Sequence, residues 1–202
     1  MKGRTALITG ATGGLGQHMA ETIAELGGRV VLIDRPGSDY TPLTSRLHQY
    51  GTEVFCIDCD LESEDERKQL ITEVNEQFLS IDVLINNAAF VGTTDLSGWL
   101  TSFEEQEIGT WRRAIEVNLT AAFDLSKSLL PLLKESGKGS IINIASIYGV
   151  SGPIHSMYKG TEMGNPAAYS VSKGGLIQLT RWLSTTIAPE VRVNAVSPGG
   201  VF

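Results

Sequence analysis

The chain has 202 residues, 42% of them hydrophobic, with 22 glycines and a formal net charge of −7. That length fits one domain with a sizeable core and would cramp a second. The acidic balance argues against a general nucleic-acid binder, and no apolar run approaches the ~18 residues that a membrane helix needs. The opening MKGRTALITG leads straight into a strand-like run, with no room for a signal peptide ahead of it. These features read as a soluble, cytoplasmic protein with no nucleic-acid or membrane partner.

Strands are expected at TALIT (5–9), RVVLID (29–34), EVFCID (53–58), DVLIN (82–86), SIINIA (140–145) and VRVNAV (191–196). Rich in Val and Ile and mostly without polar alternation, these runs suit strands buried on both faces. Helical patterns fall near 14–27, 40–50, 63–79, 110–136 and 167–188. Strand–helix alternation of this kind implies an α/β fold: a doubly wound parallel sheet with right-handed crossovers and helices on both faces.

After the first strand comes TGATGGLG, Thr9 to Gly16. Glycines at 10, 14 and 16 let the backbone turn tightly and approach a pyrophosphate, and the following helix offers that anion its free N–H groups. The second strand ends in Asp34, placed to accept hydrogen bonds from an adenosine ribose and to repel a 2′-phosphate. Arg35 beside it could tolerate that phosphate. The expectation is NAD, with NADP as the alternative; a simple turn role for Asp34 is the bland reading.

Further along, Cys56 and Cys59 form a nominal CxxC in a strand-like run, where positions three apart face opposite sides. They read as ordinary buried thiols, and the scattered His18, His48 and His155 offer no metal-ligand spacing. The sequon Asn118-Leu119-Thr120 reads as chance. Ser63 and Glu66 have the spacing of a capping box, and Asn165-Pro166 reads as an N-cap followed by proline at the first helical position. The irregular stretches 88–108 and 147–165 follow the fourth and fifth strands, at the carboxyl ends where ligands bind in such folds.

The last part of the chain holds two Tyr/Lys pairs, Tyr158-Lys159 and Tyr169/Lys173. The second lies early on a helix at i and i+4, so its side chains share a face; the adjacent residues of the first diverge. A phenol has a reference pKa of ~10, and a nearby ammonium favours the phenolate. Tyr169 is therefore the candidate acid/base, with an ordinary surface Tyr and Lys as the bland reading of this motif alone.

Taken together, these motifs resemble the short-chain dehydrogenase/reductase superfamily in its single-domain, Rossmann-like form. TGATGGLG is similar to the family's TGxxxGxG loop, which implies cofactor contacts from Gly10, Thr12, Gly14, Leu15 and Gly16. Cys59-Asp60-Leu61 resembles its adenine-contacting segment, and Asn86-Asn87-Ala88-Ala89 its NNAG motif, with Ala89 in place of the last glycine. Asn118 in VNL, Ser146 in INIAS, Tyr169 and Lys173 in YSVSK, and Ser197-Pro198-Gly199 complete the set. The resemblance implies that Ser146 hydrogen-bonds the substrate oxygen and that Lys173 holds the nicotinamide ribose. It further implies that Asn118 positions a relay water and that Asp60, Leu61, Asn87, Ala88, Pro198 and Gly199 line the cofactor.

Members of the family usually continue well beyond the PG motif, so residues 1–202 are expected to lack the substrate-covering segment and last strand. Between Ser146 and Tyr169 lies an insertion of roughly ten residues relative to the family, long enough to suggest a role. It carries Tyr148, His155, Tyr158, Lys159 and Glu162, and reads either as a tolerated surface loop or as a wall of the substrate pocket. His155 is a rival base. Similar insertions occur in bacterial members linked to surface-polysaccharide sugar modification, which suggests a sugar, polyol or nucleotide-linked sugar as the alcohol or ketone. A non-catalytic nucleotide-binding regulator of the same fold, and a dehydratase or epimerase, are the competing readings. The family's helices at 110–136 and 167–188 imply a homodimer or homotetramer.

Overall fold

A computed structural model of the chain describes residues 1–91, 95–161 and 164–200; Glu162 of the insertion lies outside them. Six parallel strands form one sheet: β1 (Thr5–Thr9), β2 (Arg29–Asp34), β3 (Val54–Asp58), β4 (Val83–Asn86), β5 (Gly139–Ile144) and β6 (Val191–Val196). Their order is β3-β2-β1-β4-β5-β6, so the chain reverses its winding between β1 and β4. That topological switch point opens a crevice at the carboxyl ends of the central strands.

The expected helices form at α1 (Gly14–Glu25), α2 (Thr41–Leu47), α3 (Glu64–Gln77) and α7 (Ala167–Thr186). The pattern at 110–136 is not one helix. It splits into α4 (Ile108–Ile115), a π-helical turn (Glu116–Thr120), α5 (Ala121–Ser128) and α6 (Leu130–Glu135). Pro131 explains the second break, since it stands in the first turn of α6 and withholds an N–H.

Strand residues alternate between two cores, one on each face. Leu7, Val31, Ile33, Leu84 and Ile141 pack with α3, α5, α6 and α7, while Ala6, Ile8, Val30, Leu32 and Ile85 pack with α1 and α2. All five residues of β1 are buried. Each Leu or Ile so covered contributes about 1.5–3 kcal/mol, which fixes strand register against one-residue slips. Cys59 is buried, but Cys56 is exposed on the edge strand β3, so only one thiol is the core residue expected. Both are free. Among the described residues no His/Cys/Asp/Glu group is arranged for a metal, and no helix is long and apolar enough to cross a membrane.

Two caps differ from their expected form. Ser63 Oγ accepts from Glu66 N at 3.3 Å, but the Glu66 carboxylate turns to Asp60 N at 2.7 Å instead of back to Ser63. Pro166 is the N-cap of α7. The Asn165 carboxamide accepts from the Ser170 hydroxyl at 2.8 Å, and Ala167 N, at the helix start, donates to Gln106 from another segment at 3.1 Å.

Candidate active site

The glycine loop is shaped by contacts that exclude larger residues. Gly10 has φ +63°, and a Cβ there would lie 2.9 Å from Ala88 Cα. A Cβ on Gly16 would fall 2.1 Å from the Gly10 carbonyl oxygen. Around Gly14, by contrast, a Cβ meets nothing within 4 Å. Gly10 and Gly16 thus close the turn, while Gly14 leaves room for a ligand. Helix α1 starts at Gly14 with no side-chain cap and no acidic residue in its first turn, so its positive end is free for an anion. Leu15 is half-buried against the α1 and α2 core.

Asp34 does more than stand at the end of β2. Its Oδ2 accepts from Thr12 N at 2.8 Å and Thr12 Oγ1 at 2.7 Å, while Oδ1 accepts from Arg35 N at 2.9 Å. The carboxylate therefore braces the glycine loop. Tyr40 supports it from behind, taking the Asp34 N–H at 2.9 Å and donating to the Ile57 carbonyl at 3.0 Å. A cavity of about 530 Å³ opens beside it, lined by Arg35, Gly37, Ser38, Asp60 and Glu66. This is where an adenosine would fit. Leu61 is buried next to it, and its carbonyl accepts from the buried guanidinium of Arg67. The same guanidinium binds Asp124 at 2.9 Å and Glu116, in the π-helical turn, at 2.6 Å.

At the switch point, Asn87 ties β4 to β1. Its Nδ2 donates to Thr9 O at 2.9 Å and Gly10 O at 3.0 Å, and Thr9 Oγ1 accepts from Asn87 N and Ala88 N. Ala89 costs this turn no strain, since among the described residues only glycines have positive φ.

Ser146 follows β5, is buried, and accepts from Tyr148 N at 3.1 Å. The neighbouring segment lies alongside it: Ala145 N donates to Val196 O at 2.7 Å and Ile147 N to Pro198 O at 3.0 Å. Pro198 is thereby held next to Ser146, and Gly199 beyond it has open space where a side chain would be. From α7, the Tyr169 phenol comes close enough to the Ser146 hydroxyl to be acted on by it. Lys173 is buried, with Nζ 5.8 Å from the Tyr169 ring centroid and donating to Ile144 O at 2.6 Å. A short 3-10 turn (Ile147–Gly149) packs against α7 so closely that a Cβ on Gly149 would lie 2.7 Å from the Lys173 carbonyl carbon.

The electrostatics depart from the sequence expectation. Burial pushes the Tyr169 phenol up, the nearby Ser146 hydroxyl pulls the other way, and Tyr148 adds to the upward push. Burial also pushes the Lys173 ammonium down to about 8. With both groups out of water, loss of hydration sets the direction of both shifts.

Asn118 sits in the π-helical turn, a feature that often marks functional sites. Its Oδ1 accepts from Phe90 N at 2.7 Å, and Nδ2 donates to Phe90 O at 3.2 Å and Ser172 Oγ at 3.0 Å. The carboxamide thus joins the 88–108 stretch to α7. Around it Phe90, Trp99, Ala114, Val117 and Ala168 form a third core cluster, against which Tyr169 packs.

The Tyr158-Lys159 pair does not act as a unit. Lys159 is exposed, whereas Tyr158 is half-buried and donates to the Tyr148 hydroxyl. His155 is exposed, lining a neighbouring cleft with Tyr158, and is not among the groups perturbing Tyr169. The structure thus brings Ser146, Tyr169 and Lys173 together and leaves His155 aside. Gly149, Gln106, Ser172 and Arg67 were not singled out from sequence. Of these only Gly149, in a Gly-containing run after a strand, carried a local signal.

Residues 4–202 match the family described as short chain dehydrogenase. The chain belongs to this family. A rhamnolipids biosynthesis 3-oxoacyl-[acyl-carrier-protein] reductase of Pseudomonas aeruginosa is 33% identical, over 98% of this chain and 73% of that protein. Among solved structures, an NAD+-bound xylitol dehydrogenase has TM-score 0.83 and 31% identity, covering 98% of this chain and 70% of its own. The Pseudomonas aeruginosa RhlG/NADP active-site complex has TM-score 0.83 and 32% identity, covering 98% and 73%. A short-chain dehydrogenase fold and oxidoreductase chemistry on CH–OH or keto groups with a nicotinamide cofactor are therefore shared features of this chain and its relatives.

Proposed function

We propose that the protein interconverts a secondary alcohol and a ketone, with Tyr169 as acid/base and NAD as the preferred cofactor. The observation that carries this reading is that Tyr169 on α7 has Lys173 Nζ 5.8 Å from its ring centroid and the Ser146 hydroxyl, just past β5, close to its phenol. Bound nicotinamide supplies the hydride acceptor or donor. Ser146 holds the substrate oxygen and stabilises its developing charge, and Tyr169 exchanges a proton with that oxygen. Lys173, fixed through Ile144 O, holds the nicotinamide ribose. Asn118 keeps α7 and the 88–108 stretch in register and, by family analogy, positions a water on the proton path.

Gly10, Thr12, Gly14, Leu15, Gly16, Asn87 and Ala88 form the pyrophosphate side of the cofactor site, Asp34, Asp60 and Leu61 the adenosine side, and Pro198 and Gly199 the nicotinamide side. The NAD preference rests on the Asp34 carboxylate, which repels a 2′-phosphate; Arg35 beside it weakens that discrimination. The intact Ser–Tyr–Lys geometry favours catalysis over a non-catalytic regulator.

A sugar or polyol substrate is supported by the likeness to a xylitol dehydrogenase. A second reading, a ketone with an apolar limb, is favoured by the cleft at the start of α7, lined by Trp99, Leu100, Phe103 and Val171. Phe123, Val171 and Trp182, exposed on α5 and α7, support self-association through these helices as a homodimer or homotetramer. NADH consumption measured against polyol-derived ketones and alkyl ketones tests the assignment; no turnover with any ketone while NADH binds would refute it.

A further inference from the structure

The insertion between Ser146 and Tyr169 ends at a polar junction that the catalytic groups do not use. Tyr158, from a 3-10 turn (His155–Tyr158), donates its hydroxyl proton to Tyr148. A phenol has one proton to give and lone pairs to accept with. One bond between two phenols uses one of their two protons, so the pair keeps a second proton that no described residue accepts. Tyr148 N donates to Ser146 Oγ at 3.1 Å, and its ring lies 6.4 Å from that of Tyr158, which links the pair to the serine. A donor polarised by an upstream hydrogen bond is strengthened, and here it is left free beside the reacting centre.

Behind the pair, Asn165 is only 8% exposed, and its Nδ2 is buried without a hydrogen-bond partner. It lies near enough to the Tyr158 oxygen to influence it, yet closes no bond of normal geometry. Buried donors left unmatched are uncommon.

Tyr158 and Asn165 also line a cleft of about 670 Å³, with Trp99, Leu100, Phe103 and Val171 on its walls. No Lys, Arg, Asp or Glu is among the described residues lining it. An uncharged, apolar limb suits such a cleft.

Building on the hydride-transfer reading above, we propose that Tyr148 is a substrate-recognising donor, positioned by Tyr158 from the insertion. It binds a second acceptor oxygen near the reacting carbon of a neutral ketone whose apolar limb lies in the cleft. Tyr158 acts through Tyr148 and is a positioning residue.

The test compares N-hexyl acetoacetamide, which has a second carbonyl, with a methyl ketone of the same length that lacks it. Tyr148→Phe is expected to lower kcat/KM for the amide about tenfold, the effect of one hydrogen bond, and to leave the ketone within about twofold. Tyr158→Phe, which keeps the ring and removes only the upstream donor, is expected to cut the amide about threefold in the same selective way. Equal losses on both probes, or none, would overturn the proposal. Should wild-type protein bind NADH but reduce neither probe, the hydride-transfer reading fails. The donor role is then read from amide binding by quenching of tryptophan fluorescence, for which Trp99 in the cleft is a reporter. An unchanged Kd in Tyr148→Phe would overturn it, and about tenfold weaker binding would sustain it.

Discussion

Lys173 Nζ donates to the Ile144 carbonyl at 2.6 Å, joining the catalytic helix to the strand that delivers Ser146. This bond holds a buried cation, and burial has a cost. Lys173 falls from an ordinary 10.5 to about 8, so the folded state prefers the neutral amine. The resulting destabilisation is complete below about 8 and fades as pH rises from there toward 10.5. Lys173→Met should therefore stabilise the protein at neutral pH by about 1–3 kcal/mol while abolishing turnover. Denaturant unfolding across that pH range checks it: the gap between variant and wild type should narrow as pH rises, and a gap that widened would contradict the assignment.

Asp34 braces Thr12 and, in the proposed NAD reading, opposes a 2′-phosphate. Asp34→Asn keeps an acceptor for Thr12 but removes the charge that opposes a 2′-phosphate. Fluorescence titration should give wild type tighter for NADH than for NADPH, with the ratio shifting at least about tenfold toward NADPH in Asp34→Asn. Tighter NADPH binding by wild type would overturn the preference.

Arg67 binds Leu61 O, Glu116 and Asp124 from a site only 2% exposed. It connects the adenosine side of the crevice with the π-helical turn that carries Asn118. Arg67→Met should cost about 3 kcal/mol, because two carboxylates lose their partner. Arg67→Lys should recover only part, since an ammonium cannot reach all three acceptors. Thermal unfolding measures both, and an unchanged melting temperature in Arg67→Met would contradict this role.

The sheet was legible because its strands are short Val/Ile runs buried on both faces, a pattern that survives without knowledge of their neighbours. Tyr169 and Lys173 were legible for a similar reason, since i,i+4 spacing on a helix is local. What sequence did not reveal depends on distant partners. The π-helical turn at Asn118 looked like plain helix because the residues it bonds, Phe90 and Ser172, lie in other segments. The upward push on Tyr169 also escaped sequence reasoning, because spacing reports which groups are near but not how dry the site is. Asn165 looked like a cap from its neighbour Pro166, yet Gln106 meets the start of α7 instead.

The central claim is that Tyr169 moves the proton that accompanies hydride transfer. The most direct measurement is NADH absorbance during ketone reduction by wild type and Tyr169→Phe, with NADH binding titrated in both. The account predicts a loss of at least about a thousandfold in kcat for the variant with NADH binding nearly intact. Undiminished turnover in Tyr169→Phe would contradict it.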